Sequence, residues 1–145
     1  MPVAAPPPAY TASSPAEIAI VREINRVRRT HHLKAVKLVA PLAQVARRHS
    51  SLMLKHDALT HSSFDGSSFS TRLAKAGKRR TYGETLAWAP DGAHVNAKAL
   101  LKLWMASAPH RKVLMNGKLH RVGVGRVHGR LGAQRGNAIT ADFSS

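Results

Sequence analysis

Leu103-Trp104-Met105-Ala106-Ser107-Ala108-Pro109-His110-Arg111 closes an apolar helical stripe at a proline and follows it at once with a histidine. Proline is a poor helix continuer and biases the residue before it, Ala108, toward an extended backbone. His110 is therefore expected where a helix hands over to another element, a common place for a functional side chain. Downstream, Arg121-Val122-Gly123-Val124-Gly125 reads as a strand. Most of the functional reading depends on what His110 faces.

Working outward, Ser14-Pro15-Ala16-Glu17 forms a capping box with proline at the first helical position. Ile20, Ile24 and Val27 supply a buried stripe, Arg22, Arg26 and Arg29 point outward, and this helix is expected to end near Thr30. A second helix from about Pro41 carries Leu42, Val45, Ala46, His49 and Met53 on one face. His49 on that face reads as a histidine at the edge of the core. A loop over 59–66 leads to a short helix over 69–76, stopped by Gly77 as a left-handed cap. Residues 80–88 read as a strand or an extended loop. Asp91 is the expected cap of a third long helix, with Val95, Ala99, Leu100, Leu103 and Trp104 as its apolar stripe. Residues 121–128 and 137–143 read as two strands, with the glycine-rich 129–136 turning between them. Helices segregated from a small antiparallel sheet define an α+β domain.

At 145 residues and 43% hydrophobic content, the chain has room for one domain with one core. Residues 1–13, with their proline cluster, read as a disordered Pro/Ala-rich tail, and 14–145 as the domain. The tail has neither the basic start nor the apolar centre of a signal peptide. No apolar run approaches the roughly 18 residues that span a bilayer. Without cysteine, disulfides and thiolate chemistry are excluded. The formal charge of +16, from 23 basic and 7 acidic residues, favours anionic partners: nucleic acid, acidic lipid or wall polymer. Arg26-Val27-Arg28-Arg29, Arg47-Arg48 and Lys78-Arg79-Arg80 would track a phosphate backbone. With only 5% aromatic residues and no helix that reads as a recognition helix, any such binding is expected to be nonspecific and steeply salt-dependent.

The nine histidines are the unusual chemical feature. His61, Glu84 and His110 each fall in a predicted loop or at an element's end, on separate segments. Brought together, two imidazoles and a carboxylate suit a divalent ion with an open position, or a general acid–base pair. Gly123 to Gly129 is one residue too long for G-x-G-x-x-G and enters no helix, and there is neither a P-loop nor a G-x-S-x-G elbow. Ser62 and Ser107 lie beside His61 and His110 in sequence, but nothing marks either as a nucleophile.

Taken together, these residues resemble the CAP superfamily of cysteine-rich secretory, venom-antigen and pathogenesis-related proteins, and within it the short, cysteine-free bacterial SCP-like branch. Ile24-Asn25 with Arg28 is similar to the first-helix "N..R" signature, and 46–53 to "A..hs..M". His61 matches the loop histidine, 72–77 the "R...aG" segment and Gly83-Glu84 the start of "GEN". Residues 104–111 resemble "W..S..HR", and Val122-Gly123-Val124-Gly125 resembles "iGvG". The resemblance implies an α-β-α sandwich with a small antiparallel sheet between helical layers. It also implies a cleft lined by His61, Glu84 and His110, which in several members holds a divalent metal such as zinc, here on His61 and His110. The second acid of animal and plant members falls near Ser107, Thr85 stands where the family usually has Asn, and Thr140-Ala141-Asp142-Phe143 departs from "wtq.F".

Three functions follow as expectations. The leading one is a secreted or surface-associated, non-enzymatic, monomeric CAP domain. Its cleft and basic surface would bind a ligand: an anionic lipid, a wall polymer or a protein. The alternatives are a metal-dependent hydrolase using the same cleft and a nonspecific nucleic-acid-binding protein.

Overall fold

The computed structural model describes residues 12–145, so the expected tail lies, except for its last two residues, outside the described part. Helices α1 (Pro15–Thr30), α2 (Ala40–Lys55), α3 (Phe69–Leu73), α4 (Ala97–Ala106) and α5 (Ala108–Leu114) surround a four-stranded sheet. Its strands are β1 (Lys37–Leu38), β2 (Tyr82–Pro90), β3 (Arg121–Leu131) and β4 (Gln134–Ser144), ordered β1-β3-β4-β2. The β2–β4 and β3–β4 pairs are antiparallel. The two-residue β1 adds a parallel edge that the sequence pattern did not reveal.

Strand periodicity sorts the side chains into two layers. Val122 and Val124 of β3, with Ile139, Ala141 and Phe143 of β4, face a core shared with Ile20, Ile24 and Val27 of α1 and Leu100, Leu101 and Trp104 of α4. The glycines alternating with those valines face α2. A Cβ on Gly123 would stand 2.1 Å from the Ala43 nitrogen, and one on Gly125 2.2 Å from the Arg47 nitrogen. The "GVG" run thus lets α2 lie backbone-to-backbone on β3, which any larger residue would forbid. The result is the α-β-α sandwich, with α1, α4 and α5 on one face and α2 with α3 on the other.

The capping box at α1 forms as read: Ser14 Oγ accepts from the Glu17 amide at 3.2 Å, and Glu17 accepts from the Ser14 amide at 2.7 Å. Glu17 also accepts from Arg47 of α2 and from the Arg126 amide of β3, each at 2.9 Å. One carboxylate therefore joins three elements. The "N..R" pair is equally structural. Asn25 exchanges two hydrogen bonds with the Val36 backbone. Arg28, fully buried, donates to the carbonyls of Lys34, Leu114, Asn116 and Leu119.

Several local expectations are corrected. Ala108 is helical and the break falls on Ser107 (φ −102°, ψ 120°), because Pro109 sits within the first turn of α5, where its missing N–H costs nothing. His110 thus lies in the opening turn of a second helix. Asp91 caps nothing: Asn96 accepts from the Ala99 amide at 2.8 Å, α4 begins at Ala97, and Asp91 pairs with His128 at 2.9 Å. The glycine-rich 129–136 mostly extends the strands, which turn over Gly132 and Ala133. Gly77 has positive φ (+126°) with ψ 134°, an extended glycine conformation outside the left-handed helical well. Residues 80–88 resolve as strand for the most part, within β2.

Candidate functional site

β2 is the sheet edge opposite β1, and the candidate residues gather along it. Glu84 leaves β2 on the α2 side with its side chain only 1% exposed. His61 reaches it from the loop after α2, Nδ1 to Oε1 at 2.9 Å. An ionised carboxylate only accepts, so the Nδ1 proton is fixed there and His61 Nε2 is left as the free ring nitrogen. The loop is itself anchored by His49, whose Nε2 donates to the Thr60 carbonyl at 2.7 Å from full burial. Burial lowers the His49 pKa and so disfavours the charged ring. The expected core-edge histidine is thus a core histidine that holds the His61 segment.

Arg72 completes the network. Its Nη1 lies 2.5 Å from Glu84 Oε2 and its Nη2 3.2 Å from Oε1, while Nη2 also donates to the His61 carbonyl and Nε donates to Ser63 Oγ. Behind this pair, Asp142 of β4 is fully buried in direct register with Glu84. Neither Asp142 oxygen finds a donor among the described residues, and the nearest Arg72 nitrogen is 3.9 Å away. A proton on Asp142, donated to Glu84, resolves both facts. Burial and the neighbouring Glu84 charge push the Asp142 pKa up. Burial also pushes against ionisation of Glu84, but the bonds from Asp142, His61 and Arg72 outweigh it and hold Glu84 down to about 2.

His110 arrives from the other helical layer, in α5, which packs on β2. Its ring lies 6.4 Å from that of Trp104, whose indole N–H donates to the Leu86 carbonyl of β2 at 3.0 Å. Burial lowers the His110 pKa, and the nearby His61 lowers it further. His110 Nδ1 is buried without a partner among the described residues. No set of three metal-binding side chains comes together among the described residues. Glu84 is engaged by Arg72 and His61, Ser107 supplies no carboxylate, and the donor set stops at two imidazoles. A closed three-ligand zinc site does not fit these residues.

Arg72 and Asp142 were missed as members of the site. Arg72 stood in the "R...aG" segment and Asp142 in the divergent last strand, but only the β2–β4 register brings Asp142, and only the packing of α3 brings Arg72, beside Glu84.

Comparison with known proteins agrees with this architecture. The model of the Cysteine-rich secretory protein family, CAP, matches residues 21–143, and the chain belongs to that family. A solved structure of an extracellular SCP-domain protein from Bacillus anthracis is 25% identical, with a TM-score of 0.73, over 89% of this chain. This chain spans only 40% of that protein's length. The outer surface protein from Borrelia burgdorferi is 17% identical, with a TM-score of 0.68, over 86% of this chain and 89% of its own. A cysteine-rich secretory protein from Staphylococcus aureus is 22% identical, with a TM-score of 0.66, over 89% and 38% respectively. Comparison with curated proteins gives no match.

Proposed function

We propose that this CAP domain is a secreted or surface-associated binding module that docks on anionic envelope material, lipid or wall polymer, through its basic exterior. The observation that carries this reading is the sorting of charge by the fold. Of the seven acidic residues, Glu17, Glu84 and Asp142 are buried, whereas of the 23 basic ones only Arg28 and Arg72 are. The exterior is therefore more one-sided than the composition, with Arg22, Arg29, Arg48, Lys78, Arg79 and Arg80 all exposed. Such a surface gains affinity and association rate from an anionic partner and loses both with salt. The extracellular and outer-surface descriptions of the Bacillus and Borrelia structures support the location.

His61 and His110 form the ligand-facing part of the cleft in this reading, with Glu84 orienting His61 from beneath. Zinc, where held, would rest on those two imidazoles and would supply a Lewis-acidic centre for a ligand oxygen. The burial of Glu84 under Arg72 weighs against its use as a general base, so binding is favoured over hydrolysis.

Co-sedimentation with phosphatidylglycerol vesicles and with isolated cell walls, across a salt series, tests the docking. Binding at low salt that falls steeply as salt rises is expected. No binding to either at low salt, or preferential binding to duplex DNA, overturns it. Zinc calorimetry on the wild type, His61→Ala and His110→Ala tests the cleft, with weak one-site binding lost in both variants as the expected result.

A further inference from the structure

On the α2 side of the molecule, a cavity of about 230 Å³ opens between α2 and the loop that follows it. Val45 and Leu52 of α2 form one wall and Phe64 of the loop the other. The Phe64 ring is braced by two imidazoles, His56 stacked at 4.4 Å and His49 at 5.9 Å, so this wall is shaped before any ligand arrives. The cavity exceeds the ~150 Å³ of an engineered apolar hole that takes benzene. It falls short of the ~300 Å³ at which drug-sized pockets begin. Its size is that of one substituted ring.

Charge at the rim sets the other half of the ligand. Arg48 and Lys75 border the opening and are exposed, and no hydrogen bond or ion pair among the described residues engages Arg48. Asp65, the carboxylate at the rim, accepts from the Ser67 amide and hydroxyl at 2.9 and 2.6 Å and feels the charge of Lys75. Arg72 also borders the cavity, but its guanidinium is taken up by Glu84, Ser63 and the His61 carbonyl. With Arg72 paired to Glu84, the rim carries Arg48 and Lys75 against the single carboxylate of Asp65, a net excess of one positive charge beside an apolar chamber, and Arg48 has no bond among the described residues.

We propose that this cavity binds a small amphipathic monocarboxylate. A single aromatic ring packs between Val45, Leu52 and Phe64, and a short acidic arm reaches Arg48. This site adjoins the network behind His61 through Arg72, His49 and Ser63, but it takes its ligand between α2 and Phe64, apart from the diffuse surface docking above.

A heteronuclear NMR titration with 3-phenylpropionate tests it, with neutral 3-phenylpropanol and octanoate as comparison ligands. Saturable shifts centred on Leu52 and Phe64 are expected for 3-phenylpropionate at millimolar concentration, with weaker binding of the other two. Arg48→Glu, at an exposed position with no partner among the described residues, is expected to keep the fold and to weaken binding about tenfold or more, the scale of one well-placed charge pair. Leu52→Trp, which fills the chamber, is expected to abolish it. Absence of saturable shifts, equal binding of 3-phenylpropanol, or an Arg48→Glu affinity equal to wild type overturns the proposal. Tighter binding of octanoate than of 3-phenylpropionate overturns the assignment of a ring.

Discussion

Glu84 on β2 and Asp142 on β4 stand opposite one another in the antiparallel ladder, two buried carboxyl groups whose pKa values are pushed apart, Glu84 down to about 2 by its hydrogen bonds and Asp142 up by burial and the Glu84 charge. Arg72 neutralises the ionised member and the protonated one donates to it. This places a single net-neutral unit inside the protein and turns His61 outward on its hydrogen bond.

The pair gives stability a two-sided pH dependence. Asp142 has a folded pKa raised above its reference of 3.8, so the native state keeps a proton that the unfolded chain releases. Its contribution is complete below 3.8 and is lost as pH rises toward the folded value. Glu84, depressed from 4.5 to about 2, contributes in the opposite sense, and its stabilisation is lost as pH falls through that window. D142N, whose amide donates without titrating, is expected to flatten the fall on the alkaline side of 3.8 and leave the acid limb unchanged. Urea denaturation across pH measures both limbs, and a D142N profile parallel to wild type would show that Asp142 is ionised.

Removing Arg72 leaves Glu84 as an uncompensated buried charge. R72A is expected to lose about 3–5 kcal/mol, the cost of breaking a buried pair from one side. R72K, which keeps the charge but not the forked geometry, should fall between R72A and wild type. Chemical denaturation separates the three.

Arg28 is a buried cation that donates to backbone carbonyls of the loop before β1, the end of α5 and the α5–β3 connection. R28M preserves bulk but strands those acceptors, each worth ~1–3 kcal/mol when left unsatisfied. A loss above about 3 kcal/mol is expected, in the rare tail of single substitutions. Faster amide hydrogen exchange around Asn116 and Leu119 would locate the damage.

Contact between α2 and β3 is set by the absence of side chains. G125A drives a Cβ to within 2.2 Å of the α2 backbone, which can yield only by moving the helix, so loss of the folded state is expected. G117A is the control. Its Cβ would meet Leu33 Cδ2 at 3.7 Å, ordinary contact, and a change within about 0.5 kcal/mol is expected. Thermal melts of the two variants decide.

His49 brings its own acid limb. Burial depresses its pKa below 6.5, so the unfolded chain binds a proton that the native state refuses, and stability is lost as pH falls from 6.5 toward the folded value. H49F is expected to remove that limb while releasing the Thr60 carbonyl, and with it loosening the His61 loop. Denaturation at two pH values on either side of 6.5 tests the first effect, and exchange at residues 59–62 the second.

Sequence alone determined the elements whose signals are local. The Ser14–Glu17 box sets the start of α1, the stripes of Ile20, Ile24 and Val27 and of Leu42, Ala46 and Met53 set two helix faces, and Val-Gly alternation marks β3, because caps and periodicity act within a few residues. The family motifs further indicated that His61, Glu84 and His110 belong together. At Asp91 and Pro109 the local rules chose wrongly, since Asn96, five residues on, takes the cap and Ser107, one residue before Ala108, takes the break. Only the tertiary structure decided what those motifs do. Register across β2 and β4 set Asp142 behind Glu84, packing delivered Arg72 to both of Glu84's oxygens, and burial removed three carboxylates from the surface while leaving nearly every cation outside. Those outcomes depend on pairs of residues far apart in sequence, whose proximity and desolvation exist only once the sheet has formed.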